Sequence, residues 1–216
     1  MPKILKKERL SENVMRFRID APRIAKKRMA GQFIILRPST DGERIPLTIA
    51  NAHADEGWIE IIFQTVGKGT MVLSTLNEGD EIIDLAGPLG KPTHIEKFGH
   101  CLCVGGGVGI APLYPIVKTL RDAGNAVTVV LGARTKSMLI LEDTMKEIAD
   151  VIITTDDGTY GTHGKVTDAI ETLFTKGVTF DAAFVIGPAM MMKFTTQKTI
   201  EKNIPTVASL NPIMID

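Results

Sequence analysis

The feature of this sequence that most limits its fold is a change of pattern near residue 98. Before that point, short segments in which apolar and polar residues alternate are separated by turn residues, a pattern that predicts β-strands. After it, apolar segments alternate with amphipathic ones, which predicts a parallel sheet with helices on both faces. We therefore expect two domains, residues 1–97 and residues 98–216.

The first domain is expected to be a six-stranded antiparallel β-barrel. Its strands are predicted at residues 4–10, 14–20, 32–36, 46–51, 58–65 and 81–85. One short helix is predicted at residues 69–76, with Thr70 as its capping residue. Residues 87–92 hold two glycines and two prolines, so we do not expect them to continue a regular element.

The second domain is expected to be an α/β domain with a five-stranded parallel, Rossmann-like sheet. Its strands are predicted at residues 101–104, 126–131, 151–155, 182–186 and 206–210. Its helices are predicted at residues 110–123, 139–148, 165–175 and 190–202.

Charge and cysteine content argue against several classes of protein. Lysine and arginine number 25, as do aspartate and glutamate, so no net charge favours binding to nucleic acid. No segment approaches the roughly 18 consecutive apolar residues of a membrane span. Cys101 and Cys103 share one apolar run, so we expect buried thiols in a cytoplasmic protein, with no disulfide and no metal site.

Glycines follow the first strand of the α/β domain, at the edge of a parallel sheet where ligands bind. Four of five consecutive residues there are glycine, and a proline suited to a first helical turn follows them. The expected site residues are Gly105, Gly106, Gly107, Gly109, Ala111 and Pro112. Main chain without side chains can approach a pyrophosphate at a helix N-terminus, although a plain tight turn is the alternative. The spacing matches neither the G-x-G-x-x-G fingerprint nor a P-loop.

The other strand ends of this domain add further candidates. They are Gly132, Ala133, Arg134, Asp156, Gly187 and Pro188. Arg134 and the nearby Lys136 are either contacts for a nucleotide phosphate or solvated surface charges. Four neighbouring strand ends with turn-forming residues indicate one cleft.

The barrel domain carries two weaker signals. Arg44, Pro46 and Thr48 combine a cation, a fixed φ and a hydroxyl at the start of a strand. A second group lies at the start of the predicted helix: Gly67, Lys68, Gly69 and Thr70. Alone, this group is typical of an ordinary capped helix; together the two signals indicate a second phosphate-bearing cofactor.

The order of these motifs resembles the ferredoxin-NADP reductase superfamily. Arg-x-Pro-Leu-Thr, Gly-x-Gly-Thr, Gly-Pro-Leu-Gly, Gly-Gly-Gly-Val-Gly-Ile-Ala-Pro, Gly-Ala-Arg and Gly-Pro-x-Met-Met follow one another over nearly the whole chain. Within the superfamily, the chain looks most like electron-transfer subunits of type B dihydroorotate dehydrogenase. It looks closer still to small subunits of NADH-dependent ferredoxin:NADP oxidoreductase, also called sulfide dehydrogenase.

The resemblance implies FAD in the barrel, NAD(P)H in the α/β domain and hydride transfer between them. It assigns the flavin to Pro46, Leu47, Thr48, Ile62, Phe63, Gln64, Gly69 and Thr70, and the dinucleotide to the glycine-rich strand ends. It implies no catalytic side chain, because the cofactors carry the chemistry. The resemblance favours NADH, whereas Arg134 and Lys136 favour a 2′-phosphate, so the choice stays open.

Two departures accompany the resemblance. The superfamily places its arginine three residues before the hydroxyl, where this chain has Ile45, so Arg44 as a flavin ligand is in question. In related subunits, a segment with four cysteines binds a [2Fe-2S] cluster, and we expect it to begin near the position of residue 211 in this sequence. This chain offers only two cysteines. Either it is part of a longer subunit or it lacks the cluster.

Two functions are therefore expected from the sequence. The leading hypothesis is a flavoprotein reductase module that delivers electrons to a larger iron-sulfur flavoprotein subunit or to ferredoxin. The alternative is a docking subunit of a larger complex, with little turnover of its own.

Overall fold

The computed structural model describes residues 1–210, which divide into two compact units. The barrel unit contains Met1–His94 and Tyr114–Ile116, and the α/β unit contains the rest of the described chain. Residues 211–216, where the iron-sulfur segment of related subunits is expected to begin, lie outside the described residues. The domain boundary between residues 97 and 98 stays a prediction.

The barrel unit is built on a six-stranded antiparallel sheet, as predicted. In chain order its elements are β1 (Ile4–Ser11), β2 (Val14–Asp20), α1 (Pro22–Lys27), β3 (Phe33–Arg37), β4 (Ile45–His53), β5 (Trp58–Gln64), α2 (Lys68–Thr75) and β6 (Asp84–Leu89). The strand order is β1-β2-β5-β4-β3-β6. The segment before β6 returns to β1, because the Ile4 N–H donates to the Asp80 carbonyl at 3.0 Å. The two ends of the sheet are thereby joined.

Alternate residues of these strands fill the core of the barrel. Phe17 and Phe63 pack edge to face, with ring centroids 5.2 Å apart. Leu73 of α2 is fully buried against the same core. One face of each of these strands therefore points inward. The strand β5 is buried on both faces except at Gln64.

Two features of the barrel unit differ from the sequence prediction. The helix α1 was not predicted, because it buries only Ile24 and Ala25 and is too short to show a helical period. The strand β6 includes Gly87 and Pro88, which were expected to lie outside a regular element. A proline is tolerated there because β6 is an edge strand and its pairing with β3 contains a register shift.

The α/β unit is built on a parallel sheet flanked by helices. Its elements are β7 (His100–Gly106), α3 (Ile110–Asp122), β8 (Ala126–Ala133), α4 (Glu142–Lys146), β9 (Asp150–Thr155), β10 (Thr162–His163), α5 (Val166–Thr175), β11 (Ala182–Ile186), α6 (Ala189–Glu201) and β12 (Thr206–Ala208). The strand order is β10-β9-β8-β7-β11-β12, and all the paired strands run parallel. Between β7 and β11 the order changes direction, which defines a topological switch point.

The predicted parallel sheet is correct in type but has six strands instead of five. The additional strand β10 has two residues, which pair with Thr154 and Thr155, and so short a strand leaves no alternating pattern in the sequence. The helix α4 is also shorter than predicted, because Leu141 adopts a φ of 57° immediately before it.

The two cysteines are free and buried, as predicted for core thiols. Burial raises the pKa of Cys101 to about 11 and that of Cys103 well above its usual value. Among residues 1–210, no group of three or more histidine, cysteine or acidic side chains is placed to hold a metal ion. No helix in that part of the chain is long and apolar enough to cross a membrane.

A buried amide joins the start of β7 to the end of α3. The Asn125 side chain is 3% exposed and accepts hydrogen bonds from the N–H groups of Phe98 and Gly99 at 2.7 and 3.0 Å. Its Nδ2 donates to the carbonyls of Glu96 and Leu120, both at 2.9 Å. All four bonds go to main chain, so this one side chain holds the segment before β7 against the end of α3.

We expect Asn125→Ala to lower the free energy of unfolding by roughly 2 to 4 kcal/mol, because buried main-chain groups lose their partners. Urea denaturation followed by circular dichroism measures the change. Asn125→Asp keeps the accepting oxygen and loses the two donated hydrogen bonds. It therefore distinguishes the contribution of the accepted bonds from that of the donated bonds. A loss below about 1 kcal/mol for Asn125→Ala contradicts this assignment.

Candidate functional site

The first candidate site lies where β7 and β11 end side by side in the α/β unit. Gly105 pairs with Ile186 in the parallel register of these two strands. Each strand is followed by a turn and a helix, α3 after β7 and α6 after β11. Because this is the switch point of the sheet, the two turns flank the crevice in which such sheets bind ligands.

Two of the glycines here, Gly109 and Gly187, make room for the protein's own main chain. A Cβ on Gly109 would lie 2.7 Å from the Ile186 carbonyl oxygen and 2.8 Å from Gly187 Cα. A Cβ on Gly187 would lie 3.1 Å from the Gly106 nitrogen and 2.6 Å from Cε of Met191. The two turns can therefore approach each other this closely only because side chains are missing on both.

Gly107 is different, because a Cβ there would meet nothing within 4 Å. Its φ is +56°, a conformation that favours glycine. It begins the short turn Gly107–Gly109, which leads directly into α3. An open position with bare main chain at the start of a helix fits the approach of a phosphate group.

The side chains of Ala111 and Pro112 do not line an open surface in the same way. Ala111 is 1% exposed. Pro112 lies in the first turn of α3, where an N–H would have no partner within the helix. Both residues are suited to starting α3 against the sheet, and Ala111 offers a ligand only its main chain.

The neighbouring strand ends bring Gly132, Ala133, Arg134 and Asp156 together. The N–H of Asp156 donates to the Ala133 carbonyl at 3.1 Å, and the N–H of Asp157 donates to that of Arg134 at 3.2 Å. The side chains of Arg134 and Asp156 are exposed. A Cβ on Gly132 would lie 2.5 Å from Val166 Cγ1, so this glycine is needed for the packing of α5.

Sequence reasoning missed a cluster beside these strand ends, here called the Glu142 cluster, formed by Lys136, Glu142, Lys146 and Tyr160. The Tyr160 hydroxyl donates to Glu142 Oε1 at 2.6 Å, and Lys146 Nζ lies 2.5 Å from the same oxygen. Burial opposes ionisation, but these hydrogen bonds prevail and lower the pKa of Glu142. The Lys136 Nζ lies 4.5 Å from the centroid of the Tyr160 ring. The spacing of Glu142 and Lys146, four residues apart on one helix, was the only signal in the sequence.

The second candidate site lies on the outer face of the barrel unit. Ile45, Leu47 and Phe63 pack into the barrel core. Strand alternation therefore places the flanking strand residues on the outer face: Pro46, Thr48, Ile62 and Gln64. Leu47 and Phe63 present their side chains to the core, so a ligand on the outer face meets only their main chain. Arg44 is exposed and precedes β4, so the strand register does not place its side chain. Ile45, three residues before Thr48, points inward.

The N-terminus of α2 lies next to the start of β4. A Cβ on Gly69 would lie 3.0 Å from Ile45 Cδ1 and 3.7 Å from Glu43 Oε2. Gly67 and Lys68 are exposed, and a Cβ on Gly67 would meet only the Thr70 hydroxyl, at 4.0 Å. The Cβ position of Gly67 is therefore open, and the start of the helix lies beside the Ile45 side chain. Bare main chain at a helix N-terminus suits a bound phosphate.

Thr70 takes part in capping the helix, but from within its first turn and not from the N-cap position. The helix begins at Lys68, Gly67 is the capping residue, and Thr70 lies in the first turn. The Thr70 hydroxyl accepts a hydrogen bond from the Gly67 N–H at 3.1 Å and donates one to the Gly67 carbonyl at 3.0 Å. Thr70 thus holds the turn closed from inside the helix.

Comparison with known proteins finds one family match in each of two successive parts of the chain. Residues 2–94 match the family of oxidoreductase FAD-binding domains, and residues 103–197 match the family of oxidoreductase NAD-binding domains. The dihydroorotate dehydrogenase B (NAD(+)) electron transfer subunit homolog of Thermotoga maritima is 50% identical over 213 residues, which cover 99% of this chain and 75% of that protein. The corresponding electron transfer subunit of Bacillus pumilus is 39% identical over 170 residues, covering 76% of this chain and 64% of that protein.

One solved structure is also closely similar. A chain of the NADH-dependent reduced ferredoxin-NADP oxidoreductase, described for flavin-based electron bifurcation, matches with a TM-score of 0.94 and 48% identity. The match covers 100% of this chain and 78% of that chain.

The open capping position of α2 provides a test of flavin binding. We expect Gly67→Asp to stabilise the FAD-free protein slightly. A carboxylate at this position caps the helix, and its negative charge interacts favourably with the positive end of the helix dipole. The same carboxylate competes with a pyrophosphate for the first N–H groups, so the Kd for FAD should rise by about tenfold or more. Thermal unfolding and quenching of flavin fluorescence measure the two effects.

Gly67→Asn is the matched control, because it caps the helix without adding charge and should weaken FAD binding less. If Gly67→Asp binds FAD as tightly as the original protein, this helix does not hold the pyrophosphate.

Proposed function

We propose that this chain, which belongs to the ferredoxin-NADP reductase superfamily, is an FAD- and NAD-binding electron-transfer module that oxidises NADH. In this proposal, the barrel unit holds FAD and the α/β unit holds the dinucleotide. The observation that carries the proposal is the approach of the two glycine turns at the switch point between β7 and β11.

The proposed dinucleotide site is formed mainly by main chain. Gly109 and Gly187 let the turns after β7 and β11 approach each other, and Gly107 leaves an opening at the start of α3. The pyrophosphate would lie at this helix N-terminus, where N–H groups and the helix dipole favour an anion. The remaining proposed contacts are Gly105, Gly106, Ala111, Pro112, Gly132, Ala133, Arg134, Asp156 and Pro188.

The proposed flavin site combines the outer face of β4 and β5 with the N-terminus of α2. Pro46 and Thr48 would contact the ring system, and Ile62 and Gln64 the chain that links it to the phosphates. Gly67, Lys68 and Gly69 would hold the pyrophosphate, with Thr70 fixing their turn. Arg44 enters the proposal as an exposed cation immediately before β4. Leu47 and Phe63 would contribute main-chain contacts.

The residues of this chain are proposed to bind and orient, not to exchange protons. When bound, the nicotinamide supplies a hydride and the flavin accepts it and can release its electrons one at a time. The task of the chain is then to hold both groups in a reactive geometry, which contributes to the rate without any acid or base. This is why no catalytic side chain is assigned.

We also propose that the electrons leave for a larger iron-sulfur flavoprotein subunit or for ferredoxin. Support comes from the relatives, whose names describe electron transfer subunits and a ferredoxin-NADP oxidoreductase. A cytoplasmic location is part of the proposal, and the two free thiols, Cys101 and Cys103, are consistent with it. The second candidate function is a docking subunit with little turnover of its own, because several relatives are named as subunits of one enzyme.

An ultraviolet-visible spectrum of the purified protein is the first test. We expect flavin absorbance, either as purified or after addition of FAD, and bleaching of that absorbance by anaerobic NADH. A colourless protein that also fails to take up FAD contradicts the proposal. Rapid NADH-dependent reduction of an artificial acceptor by the isolated chain contradicts the docking alternative.

A pair of glycine substitutions tests the assigned dinucleotide site. Gly109→Ala places a methyl group 2.7 Å from the Ile186 carbonyl oxygen, so the two turns must separate. We expect this variant to keep its flavin absorbance. The rate at which NADH bleaches that absorbance should fall at least about tenfold, because a small misplacement of reacting groups lowers a rate by this much.

Gly124→Ala is the matched control in the same unit, since Gly124 has a φ of +82° and a Cβ there would meet nothing within 4 Å. It should cost about 1 kcal/mol of stability and leave the bleaching rate unchanged. Equal loss in both variants would mean that the effect comes from folding and not from the crevice.

A further inference from the structure

The Gly-Pro-Leu-Gly motif at residues 87–90 lies outside both proposed sites, although it is part of the family resemblance. Its first glycine packs on β3, because a Cβ on Gly87 would lie 2.8 Å from Ile34 Cγ2. Its second glycine meets an aromatic ring, because a Cβ on Gly90 would lie 2.7 Å from Cε1 of Phe33 and 2.9 Å from its Cδ1. Gly90 also has a φ of +80°, which favours glycine. The motif therefore gives the Phe33 ring room to lie against bare main chain.

Hydrogen bonds fix the segment after β6 over the start of β3. The Gln32 side chain donates from Nε2 to the Gly90 carbonyl at 2.9 Å. Three residues further along, the Thr93 N–H donates to the Ala30 carbonyl at 2.9 Å. These bonds anchor the segment that carries Gly90, so the Phe33 ring packs against main chain that is itself held in place.

The side chain of Phe33 lies on the outer face of the barrel, beside Thr48. Ile34 and Leu36 are fully buried in the barrel core, so strand alternation places Phe33 on the opposite face of β3. Phe33 pairs directly with Thr48 in the antiparallel register of β3 and β4. Side chains of directly paired residues share a face, with their Cβ atoms roughly 5 Å apart. A partly buried aromatic side chain thus lies next to a residue that is proposed to contact the flavin ring.

The ring system of a flavin is flat and aromatic, and aromatic rings attract one another in edge-to-face or offset arrangements. We propose that Phe33 is a contact for the flavin ring, and that the Gly-Pro-Leu-Gly segment positions it. Phe33 and Thr48 then form one wall on neighbouring strands, and Gly90 leaves the room in which the Phe33 ring lies. This inference rests on the proposed function and adds to it a ring contact outside β4, β5 and α2.

The test combines the Kd for FAD, measured by quenching of flavin fluorescence, with the visible absorption spectrum of the FAD-saturated protein. Phe33→Ala should raise the Kd about fivefold or more and shift the visible flavin band, because the flavin ring loses an aromatic neighbour. Phe33→Tyr keeps the aromatic ring and should bind FAD within about twofold of the original protein. Gly67→Asp acts on the pyrophosphate, so it should raise the Kd without shifting the band at saturation.

A pair of glycine variants separates the ring contact from backbone strain. Gly90→Ala places a Cβ against the Phe33 ring, so it should raise the Kd for FAD about threefold or more and shift the flavin band. Gly79→Ala is the matched control, because Gly79 has a φ of +89° in the same unit and a Cβ there would meet nothing within 4 Å. It carries a similar backbone cost and should leave both the Kd and the band unchanged.

Three outcomes overturn the inference. The first is an unchanged Kd and an unchanged band in Phe33→Ala. The second is weaker binding by Phe33→Ala with an unshifted band, which would mean that Phe33 acts only through the fold. The third is an equal effect of Gly90→Ala and Gly79→Ala.

Thermal unfolding of each FAD-free variant shows whether it is folded. If Phe33→Ala is not, Phe33→Leu takes its place in the first two comparisons, because leucine keeps an apolar side chain without the aromatic ring. Failure of the proposed function looks different, because then the original protein itself does not bind FAD.

Discussion

The close approach of two turns in the α/β unit is the constraint on which the proposed chemistry depends. The main chain of Gly109 lies against the carbonyl of Ile186 and against Gly187, with no space for a Cβ on either side. The end of β11 and the start of α3 can therefore meet at the switch point of the sheet. A crevice formed in this way presents N–H groups instead of side chains, which suits an anionic ligand.

The barrel unit presents main chain to a ligand by a different route. There the N-terminus of α2 lies beside the start of β4, with Gly69 packed on the Ile45 side chain and the Cβ position of Gly67 open. In both units, the proposed binding groups are backbone atoms of glycine-rich turns, so affinity for the phosphates does not require charged side chains.

The sequence predicted the type and order of most elements but not their surroundings. Alternation along β4 and β5 correctly indicated strands, yet only the assembled barrel shows that Leu47 and Phe63 point into the core. Pro88 was expected to end regular structure, but an edge position with a register shift accommodates it. Thr70 has the chemistry of a cap, and its place within the first turn depended on where the helix began.

The sequence by itself determined the two-part organisation, the β-then-α/β order and the positions of the glycine-rich turns. These follow from local periodicity and from residues that cannot continue a helix or strand. What surrounds each glycine, and hence why the position requires glycine, depended on the tertiary structure. Gly109 and Gly187 accommodate another part of the chain, while Gly107 faces open space. Only the tertiary structure placed Tyr160 beneath Lys136, because a contact across 24 residues depends on which strands become neighbours in the sheet, and no local pattern encodes this.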